Sequence, residues 1–404
     1  MAEQTLSVAV IGAGMAGRSH AYGYRQAGSV FDSEFPSVRL AAVADMNQEL
    51  GRDTARRYGF EKVYGDWTEV AEDPEIDAVS IVVGNALHLP IARGLLEAGK
   101  HVLCEKPLAG TLEDAQAMVQ LEKEYGQKTD RYGRPLITSV GYTVRRMPAI
   151  NAIKEKITSG EFGPVTNFLS TYLCDYSCDE NAPMSWRYKG GPGSGALGDL
   201  GSHVIDTGEY LNGPVTAVRG AVMDTIYKER HLPLGAVVGH GHVEVSDEVE
   251  PVENEDFLTF TCTFANGAVG TYTISRVAFG TPNSQTYHMV GPRAQASFDI
   301  TKPAEFMYDD AQASAETRGQ RRVLINSETP LYANSCAMDA PGVGWNYNDN
   351  FAIQARAFLE QVAGIESSLA PCGSFAEGLH TLEIIQAIAE SANQGGREVS
   401  VAVS

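Results

Sequence analysis

The sequence predicts an α/β domain with a doubly wound parallel sheet, followed by an α+β domain with a large, mainly antiparallel sheet. Three observations carry that expectation. Apolar, valine-rich runs alternate with helical stretches over the first third of the chain, which is the rhythm of βαβ units. Those runs are near-continuous, as strands buried on both faces require. After about Met147 the rhythm gives way to strands joined by turns, clearest in FLTFTCTF and AVGTYTISR around Asn266–Gly267, a pair suited to a tight hairpin. At 404 residues the chain has room for two domains, 1–142 and 143–404.

The first domain opens with a strand from Leu6 to Ile11 and a helix from Met15. VRLAAVAD is the second strand and MNQELGRDTARRYG the second helix; Ala78–Val83 is a third strand, with a helix over Leu89–Ala98. HVLCEKP, a helix over Leu112–Tyr125 and a strand in LITSVGYTV complete it. The second domain reads as a helix in AINAIKEKITSG, a strand from Val165, a glycine-rich loop and a helix from about Leu200. Strands then run from Thr216 to Leu324, with Tyr227–Glu255 read as a long loop or insertion. Helices over Asn350–Val362 and Phe375–Ala392 precede a last strand, EVSVAV.

Charge narrows the partners. Lys and Arg number 31 against 51 Asp and Glu, a formal −20 that repels phosphate backbones and anionic membranes. Neither nucleic acid nor membrane is an expected partner. The six cysteines are scattered, without zinc-type spacing; Cys174 and Cys178 lie four apart but lack two further ligands, so no metal is expected. MAEQTLSVAVIGAG lacks the basic start and apolar run of a signal peptide, which makes the expected compartment cytoplasmic.

VIGAGMAG sets Gly12, Gly14 and Gly17 between a strand and a helix that begins at Met15. In a Rossmann dinucleotide site the first glycine permits the tight turn and the second admits the pyrophosphate. The third lets helix and strand pack, and the helix N-terminus faces the phosphates. Asp45 ends the second strand, 28 positions after Gly17 where about 20 is usual, the excess lying in GSVFDSEFPS. A carboxylate there accepts from a ribose 2′-hydroxyl and repels a 2′-phosphate. No Arg or Lys follows at once, so NAD is expected over NADP.

KHVLCEKPLA sets Glu105, Lys106 and Pro107 at the carboxyl end of a parallel strand, where ligands of open α/β sheets bind. Far along the chain GALGDLGSHVID holds Asp199 and His203 four apart. Lys, Asp and His are groups able to strip a proton from a hydroxyl while hydride leaves its carbon. A lysine in water titrates near about 10.4 and an imidazole near about 6.5, so the histidine is the nearer match to neutral pH.

With VIGAGMAG, NALHLPIARGLLEAGKHVLCEKPLAGTLEDA and GDLGSHVID in place, the sequence resembles the Gfo/Idh/MocA family of glucose–fructose oxidoreductase and inositol dehydrogenase relatives over its whole length. The resemblance implies an NAD(P)-dependent oxidoreductase acting on a CH–OH group, and a C-terminal sheet that joins a homodimer or homotetramer. It implies Lys106, Asp199 and His203 as the catalytic set, with Asn85, His88 and Glu105 along the nicotinamide half of the cofactor. One departure stands out: relatives commonly read TPN where this chain has VGN at Val83–Asn85, a loop without proline's restraint. A narrower resemblance, in GPGSGALGDLGSH, SRVAFG and WNYNDNFAIQARAFLE, is to bacterial sugar dehydrogenases that include levoglucosan dehydrogenase. It implies oxidation of a ring hydroxyl of a sugar, anhydrosugar or cyclitol, with Tyr142, Trp186 and Arg187 as candidates for the sugar pocket. The alternatives are a keto-sugar reductase running the same chemistry backwards, a dihydrodiol or biliverdin reductase-like enzyme, and a non-catalytic nucleotide or sugar sensor. A sensor has no need of Lys106, Asp199 and His203 together.

Overall fold

The computed structural model describes residues 5–31, 35–191, 193–235, 237, 243–366 and 369–403. The first compact unit, Met1–Met147 with Asn326–Leu379, is built on a six-stranded parallel sheet of β1 (Thr5–Ile11), β2 (Ser37–Ala44), β3 (Lys62–Tyr64), β4 (Ala78–Ile81), β5 (His101–Cys104) and β6 (Thr138–Val140). Their order is β3-β2-β1-β4-β5-β6. The winding direction reverses at β1, and ligands of such sheets sit outside the carboxyl ends at that reversal. Leu6, Val8 and Val10 of β1 are wholly buried, as a strand covered on both faces requires. The helices between strands are α1 (Met15–Ala27), α2 (Gln48–Tyr58), α3 (Trp67–Glu72), α4 (His88–Glu97) and α5 (Leu112–Tyr125). The strand expected throughout LITSVGYTV stops at Val140, because Tyr142 N–H turns back to the Val140 carbonyl and Thr143 N–H to that of Gly141.

The second unit is Pro148–Ile325 with His380–Ser404. It holds α6 (Pro148–Thr158), β7 (Asn167–Leu173), α7 (Ser202–Asn212), β8 (Val215–Asp224), a hairpin of β9 (Glu229–Pro233) and β10 (Val245–Pro251), and the run β11 (Phe257–Phe264), β12 (Val269–Ser275), β13 (Ser284–Val290), β14 (Ala294–Asp299), β15 (Glu305–Asp310) and β16 (Arg321–Leu324). Nine strands form one sheet in the order β16-β15-β14-β13-β7-β12-β11-β8-β17, where β17 is Val399–Ser400. It is antiparallel except where β12 runs parallel to β7. Along β11 every second residue is buried. One face carries Phe260, Cys262, Phe264, Tyr272 and Ile274, with the Phe260 and Tyr272 rings stacked at 4.6 Å. The other presents Thr259, Thr261, Thr271, Thr273 and Thr286, all at least partly exposed.

The Tyr227–Glu255 stretch is not a loop. β9 and β10 pair antiparallel across it, and positions 236 and 238–242 fall outside the described residues, as do 32–34 of GSVFDSEFPS. Its dense acidic residues hid the strands. Buried Arg230 pins the hairpin by donating to the carbonyls of Ser177, at 2.7 Å, and Asp179.

The sequence places one boundary, at 142/143, whereas close packing groups residues 326–379 with the first unit. That segment carries α8 (Asp349–Ala363); α9 (Phe375–Asn393) follows it. α8 lies on α1. A Cβ on Gly23 would stand 2.4 Å from the Phe351 carbonyl oxygen. Buried Arg356 donates to the carbonyls of Ala27 and Val30 at the end of α1. Gly23→Ala therefore forces backbone against backbone and should cost about 1–3 kcal/mol of stability, the usual range for overpacking. A urea midpoint unchanged from wild type would contradict this packing.

Candidate functional site

At the carboxyl ends of β1 and β2 the chain forms a cradle. Gly12 leaves β1 with φ of 100°, and a Cβ there would stand 2.0 Å from the Val82 carbonyl oxygen. Gly17 packs α1 onto the loop, its Cβ position only 1.9 Å from the Gly12 carbonyl oxygen. Gly14 is the opposite case: a Cβ there meets nothing within 4 Å. It is the N-cap of α1 and makes no side-chain cap bond, so the first-turn N–H groups rely on a partner from outside the helix. Met15, the first residue of α1, is 65% exposed. Asp45 closes the cradle. Its Oδ2 accepts from Ala13 N–H at 2.7 Å and its Oδ1 from Asn47 N–H at 2.7 Å, tying the glycine loop to the start of α2. This arrangement fits a pyrophosphate at the helix end with a hydroxyl-accepting carboxylate beside it.

Beyond β4 and β5, His88 is fully buried. Its Nδ1 lies 3.1 Å from the Leu108 carbonyl oxygen and its Nε2 3.1 Å from that of Val83. Burial lowers its pKa, and a neutral imidazole has one N–H for two carbonyls. His88 is thus turned inward. Its ring stands between the Val83 loop, which lacks a proline, and the Leu108 carbonyl beyond β5. Asn85 sits in a short 3-10 turn just before α4, partly exposed. Glu105 Oε2 accepts from the Lys106 N–H at 3.0 Å, and its Oε1 faces His20 Nε2 at 2.8 Å. The Lys106–Pro107 bond is cis. Tyr142 is 2% exposed, with Arg145 over its ring and Gly373 against it.

In the second unit Asp199 sits in a π-turn, Leu197–Gly201, that runs directly into α7, so Asp199 and His203 do not lie on an ordinary helical turn. Such turns are frequent at functional sites. Asp199 Oδ2 accepts from the Tyr176 hydroxyl at 2.9 Å, and burial and the Asp199 charge push the Tyr176 phenol well above its ordinary value. The Tyr172 ring lies 6.0 Å from that of His203. Trp186 is 59% exposed, with the Arg187 guanidinium 4.5 Å from its ring centre. Lys106 belongs to the first unit; Asp199, His203, Trp186 and Arg187 belong to the second.

Three residues that sequence reasoning passed over brace this region. Asn254, Glu255 and Asp256 are all buried. Glu255 accepts from Gly193 N–H and Leu197 N–H at 2.8 Å each, clamping both ends of the loop before Asp199. Asp256 takes Arg276 Nε at 2.7 Å, both side chains 1% exposed. Asn254 donates to the carbonyls of Arg187 and Lys189. The available signal was register: Phe257 pairs with Ser275, which puts an acid and an arginine opposite each other at the next position. Among the described residues no group of three His, Cys, Asp or Glu could hold a metal ion, and no helix is long and apolar enough to cross a membrane. All six cysteines are free of disulfides.

Comparison with known proteins follows the same division. A model of the GFO/IDH/MocA oxidoreductase family, NAD-binding Rossmann fold, matches residues 6–130, and the GFO/IDH/MocA C-terminal domain model matches 150–297. The chain is 36% identical over 392 residues to a levoglucosan dehydrogenase of Pseudarthrobacter phenanthrenivorans, covering 96% of each. It is 28% identical over 277 residues to a scyllo-inositol 2-dehydrogenase (NAD(+)) of Bacillus subtilis, covering 68% of this chain and 69% of that protein. A solved levoglucosan dehydrogenase in complex with NADH and levoglucosan superposes with a TM-score of 0.86 at 34% identity, covering 99% of this chain and all of that one.

Glu255→Gln keeps the shape of the clamp but turns an N–H group against one of two backbone donors. A buried donor left unsatisfied costs about 1–3 kcal/mol. The variant should unfold at correspondingly lower urea, and an unchanged midpoint would show that Glu255 does not carry the loop.

Proposed function

Because the chain belongs to the GFO/IDH/MocA oxidoreductase family, we propose that it is an NAD-dependent dehydrogenase oxidising a ring hydroxyl of a sugar, anhydrosugar or cyclitol. The observation that carries the substrate class is the end-to-end likeness to levoglucosan dehydrogenase. The cofactor-binding part of the reading is supported by the open cradle at Gly14, the uncapped start of α1 and the restrained carboxylate of Asp45.

When bound, the oxidised nicotinamide supplies the hydride acceptor; the protein's task is the hydroxyl proton. Gly12 and Gly17 shape the loop, the N–H groups at the start of α1 from Met15 onward receive the phosphates where Gly14 leaves room, and Asp45 accepts from the ribose. Asn85, His88 and Glu105 line the nicotinamide end. His203 takes the proton, Lys106 stabilises the developing alkoxide, and Asp199, oriented by Tyr176, positions the substrate or the imidazole. Trp186 offers an exposed indole to the apolar face of a ring, and Arg187 donates to its hydroxyls. The half-exposed threonine face of the nine-stranded sheet is the surface through which a homodimer or homotetramer assembles. The substrate test is a screen of NAD and NADP reduction, followed by absorbance of the reduced nicotinamide, against sugars, anhydrosugars and inositols.

Lys106→Ala and His203→Ala should each lower kcat by about a hundredfold or more, the lower bound for acid–base groups, with NAD affinity retained. The double variant should lose much less than the product, since groups acting on one proton are not additive. Near-wild-type turnover in Lys106→Ala would overturn the assignment of Lys106, whereas a wild type that binds NAD but turns over none of the compounds would favour a nucleotide sensor. Asp45→Ser combined with Met46→Arg should shift preference towards NADP and, through loss of the Ala13 bond, raise the KM for NAD. A wild type that already favours NADP tenfold in kcat/KM would refute this role for Asp45.

A further inference from the structure

His20 lies on α1, one turn beyond Gly17 of the glycine loop, and is 3% exposed. Both ring nitrogens are engaged. Nε2 stands 2.8 Å from Glu105 Oε1, and Nδ1 stands 3.0 Å from the Ser80 hydroxyl on β4. Ser80 in turn lies 2.7 Å from the buried Tyr24 hydroxyl. The donor directions follow from the chain of partners. A carboxylate only accepts, so Nε2 carries a proton; in a neutral ring Nδ1 then accepts from Ser80, which accepts from Tyr24. The edge of Phe351 on α8 closes the imidazole from outside, with ring centres 5.4 Å apart.

The other end of the chain is the main chain of Lys106, whose N–H donates to Glu105 Oε2 at 3.0 Å. Room for that carboxylate is made by Gly141 at the end of β6. A Cβ there would stand 2.9 Å from Glu105 Oε1, while its nearest backbone atom, the Cys104 carbonyl oxygen, would be at 3.5 Å. Three elements, α1, β5 and the end of β6, thus converge on one carboxylate.

We propose that His20 is a positioning residue for Lys106, acting through Glu105: it fixes the carboxylate that holds the Lys106 main chain at the tip of β5. Its role in turnover rests on the dehydrogenase reading above. His20 does not exchange a proton with substrate. What it supplies is a donor at one place, which an amide supplies equally well.

The test uses the full-length protein and three variants. His20→Phe removes the donor, His20→Gln replaces it with an amide N–H, and Gly141→Ala displaces the carboxylate with the backbone left in place. The first readout needs no substrate: hydrogen exchange of the Lys106 N–H, followed by mass spectrometry of a peptide spanning Glu105–Pro107, in which Pro107 contributes no N–H. Loss of a hydrogen bond to a charged acceptor should speed that exchange by about tenfold or more in His20→Phe and Gly141→Ala, and His20→Gln should restore protection. The second readout is kcat per folded molecule. It should fall by up to about a hundredfold in the first two variants, as for small misplacements of reacting groups. NAD affinity should hold, and the pH–rate profile of His20→Gln should overlay that of wild type. Unchanged exchange in His20→Phe and Gly141→Ala overturns the proposal whether or not a substrate is known. Faster exchange with undiminished kcat also overturns it, as does a His20→Gln variant as impaired as His20→Phe. A wild type that turns over no sugar counts against the dehydrogenase reading, while the exchange result still decides the contact chain.

Discussion

A carboxylate removed from water must be met by N–H or O–H donors, and that requirement shapes the functional parts of both units. The chain has 51 acidic residues against 31 basic ones, so arginine and lysine cannot answer every one. At three decisive places backbone N–H groups do. Asp45 binds the N–H groups of Ala13 and Asn47, Glu105 that of Lys106, and Glu255 those of Gly193 and Leu197. Each bond fixes a loop at the end of a strand or helix, where regular structure leaves the backbone undetermined. Because these contacts are charge-assisted, they hold their loops more firmly than neutral bonds would.

The same requirement separates what was legible in the sequence from what was not. The glycine loop was readable because each glycine answers a local steric demand, and Gly12 and Gly17 meet it with almost no space to spare. Asp45 was readable because it follows a strand in a known register of motif. His20 was not: it occupies an ordinary inward position of an amphipathic helix, and only its partner on β5 gives it a task. Ser80, inside an apolar strand, likewise read as core. Asn254 and Glu255 read as the polar end of an insertion and Asp256 as the residue after it, because their partners at Gly193, Leu197 and Arg276 are distant in the chain.

His88 and Tyr142 show the converse. Both are given ligand contacts in the sequence reading, and both lie buried, in surroundings that no motif spells out. Residue type at a motif position says which groups are present; only packing says which way they face. Trp186, by contrast, is a large indole left in solvent, and the sequence reading that gave it a ligand is compatible with that exposure.

The docking of α8 on α1 bears on how the protein is made. Ribosomes add about 5–20 residues per second, so α8 emerges from the exit tunnel on the order of tens of seconds after α1. Throughout that interval the nascent first unit carries an uncovered helix face centred on Gly23, with the Arg356 cap still unsynthesised. The parallel sheet, whose last strand ends at Val140, can assemble early, but the first unit is complete only once residues 326–379 have been made. Residues 148–325 of the second unit are made within that interval, which makes the growing chain a natural client for chaperones that bind exposed apolar helices.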